Sequence, residues 1–89
     1  MSNVRITKGF ISDLAFVRSD GVEQKIRSSM QSISAFPKIG STNVPRSVIA
    51  KYGEGIRKTA VKPFDLIYRY EEVEDTVIFE ALIHMRRGM

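Results

Sequence analysis

The last third of the chain carries its clearest structural pattern. Residues 56–84 read IRKTAVKPFDLIYRYEEVEDTVIFEALIH. Three runs rich in β-branched and aromatic residues are separated by a turn at Lys62-Pro63 and by a polar turn near residues 73–75. This spacing predicts three consecutive strands in an antiparallel meander.

The register of the last two strands follows from their alternation. If Glu71 lies opposite Thr76, one face of the pair carries only apolar and aromatic side chains. These are Phe64, Leu66, Tyr68 and Tyr70, opposite Ile83, Ala81, Phe79 and Val77, respectively. A slip of one residue would set this group against Glu80 and His84, so the pattern favours this register. We predict that this face packs on the core.

The opposite face of the predicted sheet is mixed in character. It carries charged and apolar side chains, namely Lys58, Asp65, Ile67, Arg69, Ile78, Glu80, Leu82 and His84. Arg69 and Glu80 are diagonal neighbours, and such an ion pair contributes under about 1 kcal/mol if exposed. Lys58, His84 and Arg86 are the candidates for contact with an anion.

The amino-terminal half has a helical pattern after a short strand predicted at residues 4–7. Two apolar stripes at helical spacing follow, Phe10, Leu14 and Val17 and then Val22, Ile26, Met30 and Ile33. Asp20 with Glu23 has the form of a capping box, and Pro37 ends the second helix. We interpret both stripes as core. Residues 40–55 are predicted to be mainly loop, with one or two helical turns around Val48 and Tyr52.

Composition limits the class of protein. The chain has 89 residues, which suit a single domain, and 14 Lys and Arg against 10 Asp and Glu give a net charge of +4. This charge favours an anionic partner such as nucleic acid or an acidic protein segment, but it is equally compatible with a role in solubility alone. The absence of cysteine excludes disulfides and thiolate zinc sites. We expect no metal, cofactor or membrane contact, and a cytoplasmic location, because no run approaches about 20 apolar residues and MSNVRITK is not typical of a signal peptide.

Residues 53–87 resemble the RelE/ParE superfamily of bacterial type II toxin–antitoxin, or plasmid stabilisation, toxins. An Arg-containing strand, a Pro turn, a Tyr-Arg strand, an acidic turn and a strand closing on HMRR follow in the family's order. FPKIG, residues 36–40, resembles the family's exit from its second helix. The resemblance implies an α+β fold with one amino-terminal strand, two helices packed on one face of the sheet, and the three-stranded meander. It also implies a cognate antitoxin and permits a homodimer.

The resemblance implies a growth-inhibiting toxin but leaves the mechanism, and whether the protein is an enzyme, open. ParE-like members poison DNA gyrase, whereas RelE-like members cleave messenger RNA on the ribosome. In a nuclease, His84 would be the catalytic base or acid. Lys58, Arg69, Arg86 and Arg87 would hold phosphate or contact another target. The His-x-Arg-Arg ending slightly favours the ParE-like mechanism; a degenerate, non-toxic binding module is a further alternative.

Overall fold

The computed structural model describes residues 1–85, which form one four-stranded sheet and three helices. In chain order the elements are β1 (Asn3–Ile6), α1 (Lys8–Ala15), α2 (Asp20–Ala35), α3 (Arg46–Tyr52), β2 (Ile56–Val61), β3 (Phe64–Glu71) and β4 (Thr76–His84). The sheet order is β1-β4-β3-β2; β1 is parallel to β4, and the other neighbours are antiparallel. The predicted α+β class and the carboxyl-terminal meander are confirmed.

Hydroxyl side chains begin both long helices. The Thr7 hydroxyl accepts a hydrogen bond from the backbone N–H of Phe10 at 3.0 Å, and the Ser19 hydroxyl accepts one from Val22 at 3.2 Å. Each bond satisfies an N–H group that has no partner inside its helix. The predicted cap at Asp20 was therefore wrong by one residue. Asp20 instead lies in the first turn of α2, where a carboxylate is favourable to the helix dipole.

The first core lies between α1 and α2 and one face of the sheet. Its buried members are Phe10, Ile26, Ile33, Val61, Leu66, Tyr68, Val77, Phe79 and Leu82. The remaining residues of both predicted helical stripes pack against this cluster. Tyr68 lies opposite Phe79, their ring centroids are 6.3 Å apart, and both side chains are fully buried. The predicted helix faces and this cross-strand pair are confirmed.

The opposite face of the sheet is also covered, and α3 covers it. A second core cluster joins this helix and the segment before it to β2, β3 and β4; its members are Val44, Val48, Ile56, Ile67 and Ala81. Ile67, predicted on an open mixed face, is only 1% exposed. The helical turns predicted around Val48 and Tyr52 are confirmed as α3, within a segment otherwise predicted to be loop. The apolar side chains of this helix bury the middle of the second face.

A β-bulge changes the register between β3 and β4. Residues 68–71 pair with residues 76–79 as predicted, but Ile67 then pairs with Ala81. Glu80 is the extra residue on β4, and an extra residue reverses which side chains face each way beyond it. The predicted register was therefore right at one end of the strand pair and wrong at the other.

The bulge moves the end of β4 to new faces. Beyond it the pairs are Leu66 with Leu82, Asp65 with Ile83, and Phe64 with His84. Leu82 is consequently part of the first core, whereas Ala81 and Ile83 contact the second. His84 lies on the face that α1 and α2 cover, not on the opposite face as predicted. Three consecutive residues, Ala81, Leu82 and Ile83, are all apolar, so each can point to either of the two buried faces of the sheet. The alternation of polar and apolar residues therefore did not reveal the shift in register.

The exit from α2 is fixed to the sheet by two polar side chains. The buried hydroxyl of Tyr68 donates to the Pro37 carbonyl at 2.7 Å and accepts from the Gly40 N–H at 2.8 Å. Arg57 Nη1 donates to the Gly40 carbonyl at 2.9 Å and to the Lys38 carbonyl at 3.2 Å. Burial raises the pKa of Tyr68, an effect that the hydrogen bond from Gly40 opposes. The phenol therefore stays protonated and keeps its donor role at neutral pH.

Candidate functional site

Two of the predicted site residues share the second face of the sheet. Lys58 lies in β2 opposite Ile67, and its backbone N–H and carbonyl both bond to Ser41 at 2.9 Å. Arg69 lies in β3, between Ile56 of β2 and Ile78 of β4. Their strand positions place both side chains on the face that α3 partly covers.

The guanidinium group of Arg69 is held at the carboxyl-terminal end of α3. Nη1 donates to the Glu54 carbonyl at 2.6 Å, and Nη2 donates to the Tyr52 carbonyl. Nε lies 3.5 Å from a carboxylate oxygen of Glu80, which confirms the predicted ion pair. A cation is favourable at a helix carboxyl terminus because it meets carbonyl groups without helical partners. Arg69 thus fastens α3 to the sheet.

Arg69→Ala should lower the free energy of unfolding by about 1–3 kcal/mol, since it removes charge-assisted hydrogen bonds to two carbonyl groups. Arg69→Lys should recover only part of this loss, because one ammonium group cannot reproduce the planar fork. Urea unfolding followed by circular dichroism measures both, with Lys25→Ala on the exposed face of α2 as the control. If Arg69→Ala were as stable as the control, Arg69 would not fasten α3 to the sheet.

His84 lies at the far end of β4 and on the other face. Its ring meets that of Phe64 edge-on, with centroids 5.6 Å apart. Phe64 in turn packs against the first core. The structure therefore brings Lys58 and Arg69 to one face but leaves His84 on the opposite one. Arg86 and Arg87 lie outside the described residues.

His84 also borders an open groove of about 700 Å³, here called the α1–α3 groove. The groove is lined by Asp13 of α1, Phe16 just after that helix, Ser47, Val48, Lys51 and Tyr52 of α3, Phe64 of β3, and Leu82, Ile83 and His84 of β4. Phe16 is 75% exposed although it is a large apolar side chain. The groove thus combines an exposed aromatic ring with a lining of both apolar and polar side chains.

The outer edge of β4 beside this groove is already closed. β1 pairs with β4 only as far as Phe79, whose carbonyl accepts from the Thr7 N–H at 3.1 Å. The Thr7 hydroxyl then donates to the Glu80 carbonyl at 3.0 Å. Further along, a carboxylate oxygen of Asp13 accepts from the Leu82 N–H at 3.0 Å. Thr7, just before α1, and Asp13 within it therefore occupy edge positions that a further strand would need.

The acidic turn between β3 and β4 lies at the opposite end of these strands. Hydrogen bonds from Ser2, at 2.6 Å, and from Tyr70, at 2.8 Å, hold the pKa of Asp75 below its usual value. Lys38, 2.8 Å from Glu72, lowers the pKa of that carboxyl group. Both carboxylates therefore stay ionised at neutral pH. Their polar partners connect the turn to the amino terminus and to the exit from α2.

Metal and membrane chemistry receive no support from residues 1–85. Among them, no group of three His, Asp or Glu side chains is arranged to hold a metal ion. No helix in that range is long and apolar enough to cross a membrane.

A sequence model of the family described as the ParE toxin of type II toxin-antitoxin system, parDE, matches residues 4–89. The chain belongs to this family. A ParE-family chain is the toxin component of a type II toxin–antitoxin system, as the sequence resemblance implied. No curated protein matches the sequence.

The chain is similar to several solved structures, two of which are toxin–antitoxin complexes. One is the RelBE2 toxin–antitoxin complex of Mycobacterium tuberculosis, with 18% identity, a TM-score of 0.71, and coverage of 93% of this chain and 96% of that chain. The other is the intact RelBE toxin–antitoxin complex of E. coli, with 10% identity, a TM-score of 0.74, and coverage of 94% and 96%. At these identities the similarity concerns the fold.

The α1–α3 groove includes residues that the sequence analysis of this ParE-family chain did not select. Phe16 was overlooked because it lies between the core positions of α1 rather than on their stripe. Lys51 and Tyr52 belong to the helical turns predicted within a segment otherwise expected to be loop, and neither was selected as a site residue. The four-residue spacing of Val48 and Tyr52, which predicted those turns, also indicated an apolar helical face.

Proposed function

We propose that this chain inhibits growth in the ParE-like manner, by binding DNA gyrase, and that it does not cleave RNA. The observation that carries the proposal is the β-bulge at Glu80, which puts His84 on the face opposite Lys58 and Arg69. Cleavage of RNA by a histidine base needs cations placed around the same phosphate as the base. Groups on opposite faces of a sheet do not meet this requirement.

The bonding of Arg69 supports the same proposal. Its guanidinium group contacts two backbone carbonyls and the Glu80 carboxylate, so its charge is largely compensated within the protein. Lys58 remains a candidate for target contact on this face. Arg86 and Arg87, which the sequence places after His84, supply the further charge that we assign to gyrase binding.

A cognate antitoxin is the second part of the proposal. Both similar structures are toxin–antitoxin complexes, and the net charge of +4 favours an acidic partner segment. We expect the antitoxin to be encoded beside this chain's gene and to carry an acidic or amphipathic segment that orders on binding. The two proteins would meet in the cytoplasm. Co-expression of the antitoxin should restore growth.

His84→Gln should leave growth arrest nearly unchanged, whereas Arg86→Glu combined with Arg87→Glu should abolish it. The reason is that charge, and not proton transfer, is the property that gyrase binding requires. The measurement is growth after induced expression of each variant, with folding checked by circular dichroism. Purified protein is then added to a gyrase supercoiling assay and, in parallel, to translating ribosomes with a defined messenger.

The parallel assays separate the alternatives. Loss of supercoiling without messenger cleavage supports the proposal. Messenger cleavage that His84→Gln slows by about 10²–10⁴-fold would identify a RelE-like nuclease instead. If the unmodified chain folds but does not arrest growth even when no antitoxin is expressed, it would be a degenerate binding module.

A further inference from the structure

The α1–α3 groove has the features of a docking surface for a helix. Phe16 projects from the end of α1 and is 75% exposed, while Val48 and Leu82 below it are nearly buried. An exposed phenyl ring beside an apolar floor gives a partner an apolar surface to cover, and an apolar face on a helix fills such a groove. The groove volume of about 700 Å³ is large enough for several side chains.

The closed edge of β4 decides between a strand and a helix as the occupant. A peptide that extended the sheet here would need the Leu82 N–H, but Asp13 already accepts its hydrogen bond at 3.0 Å. Likewise, the carbonyl groups of Phe79 and Glu80 already accept hydrogen bonds from the N–H and the hydroxyl of Thr7, respectively. A helix satisfies its own backbone groups and contacts a groove through side chains alone. The geometry therefore favours a helix.

The charge at the rim indicates the character of that helix. Lys51 is exposed, its ammonium group is 5.5 Å from the centre of the Tyr52 ring, and none of the ion pairs within residues 1–85 involves it. The single acidic side chain of the lining, Asp13, is committed to Leu82. An acidic residue beside the apolar face of the partner would thus find a cation and no competing anion at the rim.

We propose that the α1–α3 groove binds an apolar and acidic helical segment of the antitoxin. The inference rests on the proposed function, which supplies the partner, and it assigns that partner a surface built in part from α3. The segment lays apolar side chains against Phe16 and the floor, and it places an acidic side chain near Lys51.

The test uses the full chain and, as the probe, the purified small protein encoded by the adjacent gene. Phe16→Ser and Lys51→Glu should each weaken its binding at least about tenfold in calorimetric titration. The first removes the exposed ring that the partner covers, and the second sets a like charge beside the partner's acidic side chain. Matched controls are Phe36→Ser, whose ring is 69% exposed at the other end of the sheet, and Lys25→Glu on α2. Both controls should bind within about twofold of the unmodified chain.

Growth arrest supplies the second readout. Phe16→Ser should still arrest growth but should no longer be rescued by co-expression of the adjacent gene product. Unchanged binding by both groove variants would overturn the groove assignment while leaving the antitoxin proposal intact. Loss of growth arrest in folded Phe16→Ser would also overturn it, because the groove would then serve the target. Tighter binding by Asp13→Ala would indicate strand addition at Leu82, which contradicts a helix.

Failure of the unmodified chain to bind the adjacent gene product has a different meaning. It would contradict the antitoxin part of the proposed function, and the groove proposal would fall with it. The unmodified chain therefore separates the two failures: its binding tests the partner, and the variants test the surface.

Discussion

Phe79→Ala should lower the free energy of unfolding by about 3–5 kcal/mol. The ring is fully buried between those of Phe10 and Tyr68, with centroid separations of 5.6 and 6.3 Å. Truncation removes apolar contacts on both sides, and buried strand and helix backbones leave little freedom to close the cavity. Domains of this size have about 5–15 kcal/mol of total stability, so much of the variant would unfold under mild conditions.

Urea unfolding of Phe79→Ala, followed by circular dichroism, checks this value. Phe36→Ala is the matched control, because it makes the same chemical change at a ring that is 69% exposed. The control should stay within about 0.5 kcal/mol of the unmodified chain. Equal stability of the two variants would mean that Phe79 does not lie in the core between the helices and the sheet.

Gly40→Ala should lower the free energy of unfolding by about 2–4 kcal/mol, although it adds only one methyl group. A Cβ atom at this position would lie 2.6 Å from the Tyr68 hydroxyl oxygen, 2.7 Å from Tyr68 Cε1 and 3.0 Å from the Lys58 carbonyl oxygen. The tyrosine is fully buried, and the carbonyl belongs to β2. Relief of the contact therefore requires loss of the hydrogen bonds to Pro37 and Gly40, or displacement of the loop.

Gly21→Ala provides the control for this prediction. Its Cβ would meet the Ser19 hydroxyl at an ordinary 3.7 Å, inside the first turns of α2. Alanine is the better helix former, so this variant should be as stable as the original chain or more so by up to about 1 kcal/mol. Adding Tyr68→Phe should relieve part of the Gly40→Ala penalty, since the 2.6 Å contact is to the hydroxyl oxygen. Equal midpoints for the two glycine variants would contradict the close packing at Gly40.

The sequence predicted those parts of the fold in which apolar residues mark a single face of a strand or helix. Tyr68 and Tyr70 alternate with the charged residues Arg69 and Glu71, so their face followed from the pattern, and the acidic turn set their pairing with Val77 and Phe79. The stripes of α1 and α2 were equally clear. The end of β4 was different, because Leu82 and its two neighbours are all apolar. The alternation that fixes a face disappears when both faces are buried.

The site was less predictable than the fold because it depends on the second face. The Arg69–Glu80 pair could be predicted from diagonal spacing, but the carbonyl groups of Tyr52 and Glu54 come from a segment far away in sequence. His84 was assigned to the wrong face because one extra residue reverses every side chain beyond it. Charge and residue type identified the candidate site residues. Only the bulge and α3 showed that Lys58 and Arg69 share one face of the sheet while His84 lies on the other.

The parallel pairing of β1 with β4 also sets the order in which this protein can complete its fold during synthesis. Val4 lies opposite Val77, and the Ser2 hydroxyl donates to Asp75. β1 therefore cannot pair until residues more than seventy positions later have been synthesised. Until then, the nascent α1 and α2 lack the β4 side chains that fill their core. Contacts this distant along the chain close slowly, because loop entropy must be overcome first. The fold can therefore be completed only after β4 has been synthesised, and until then the apolar faces of α1 and α2 remain exposed to other molecules.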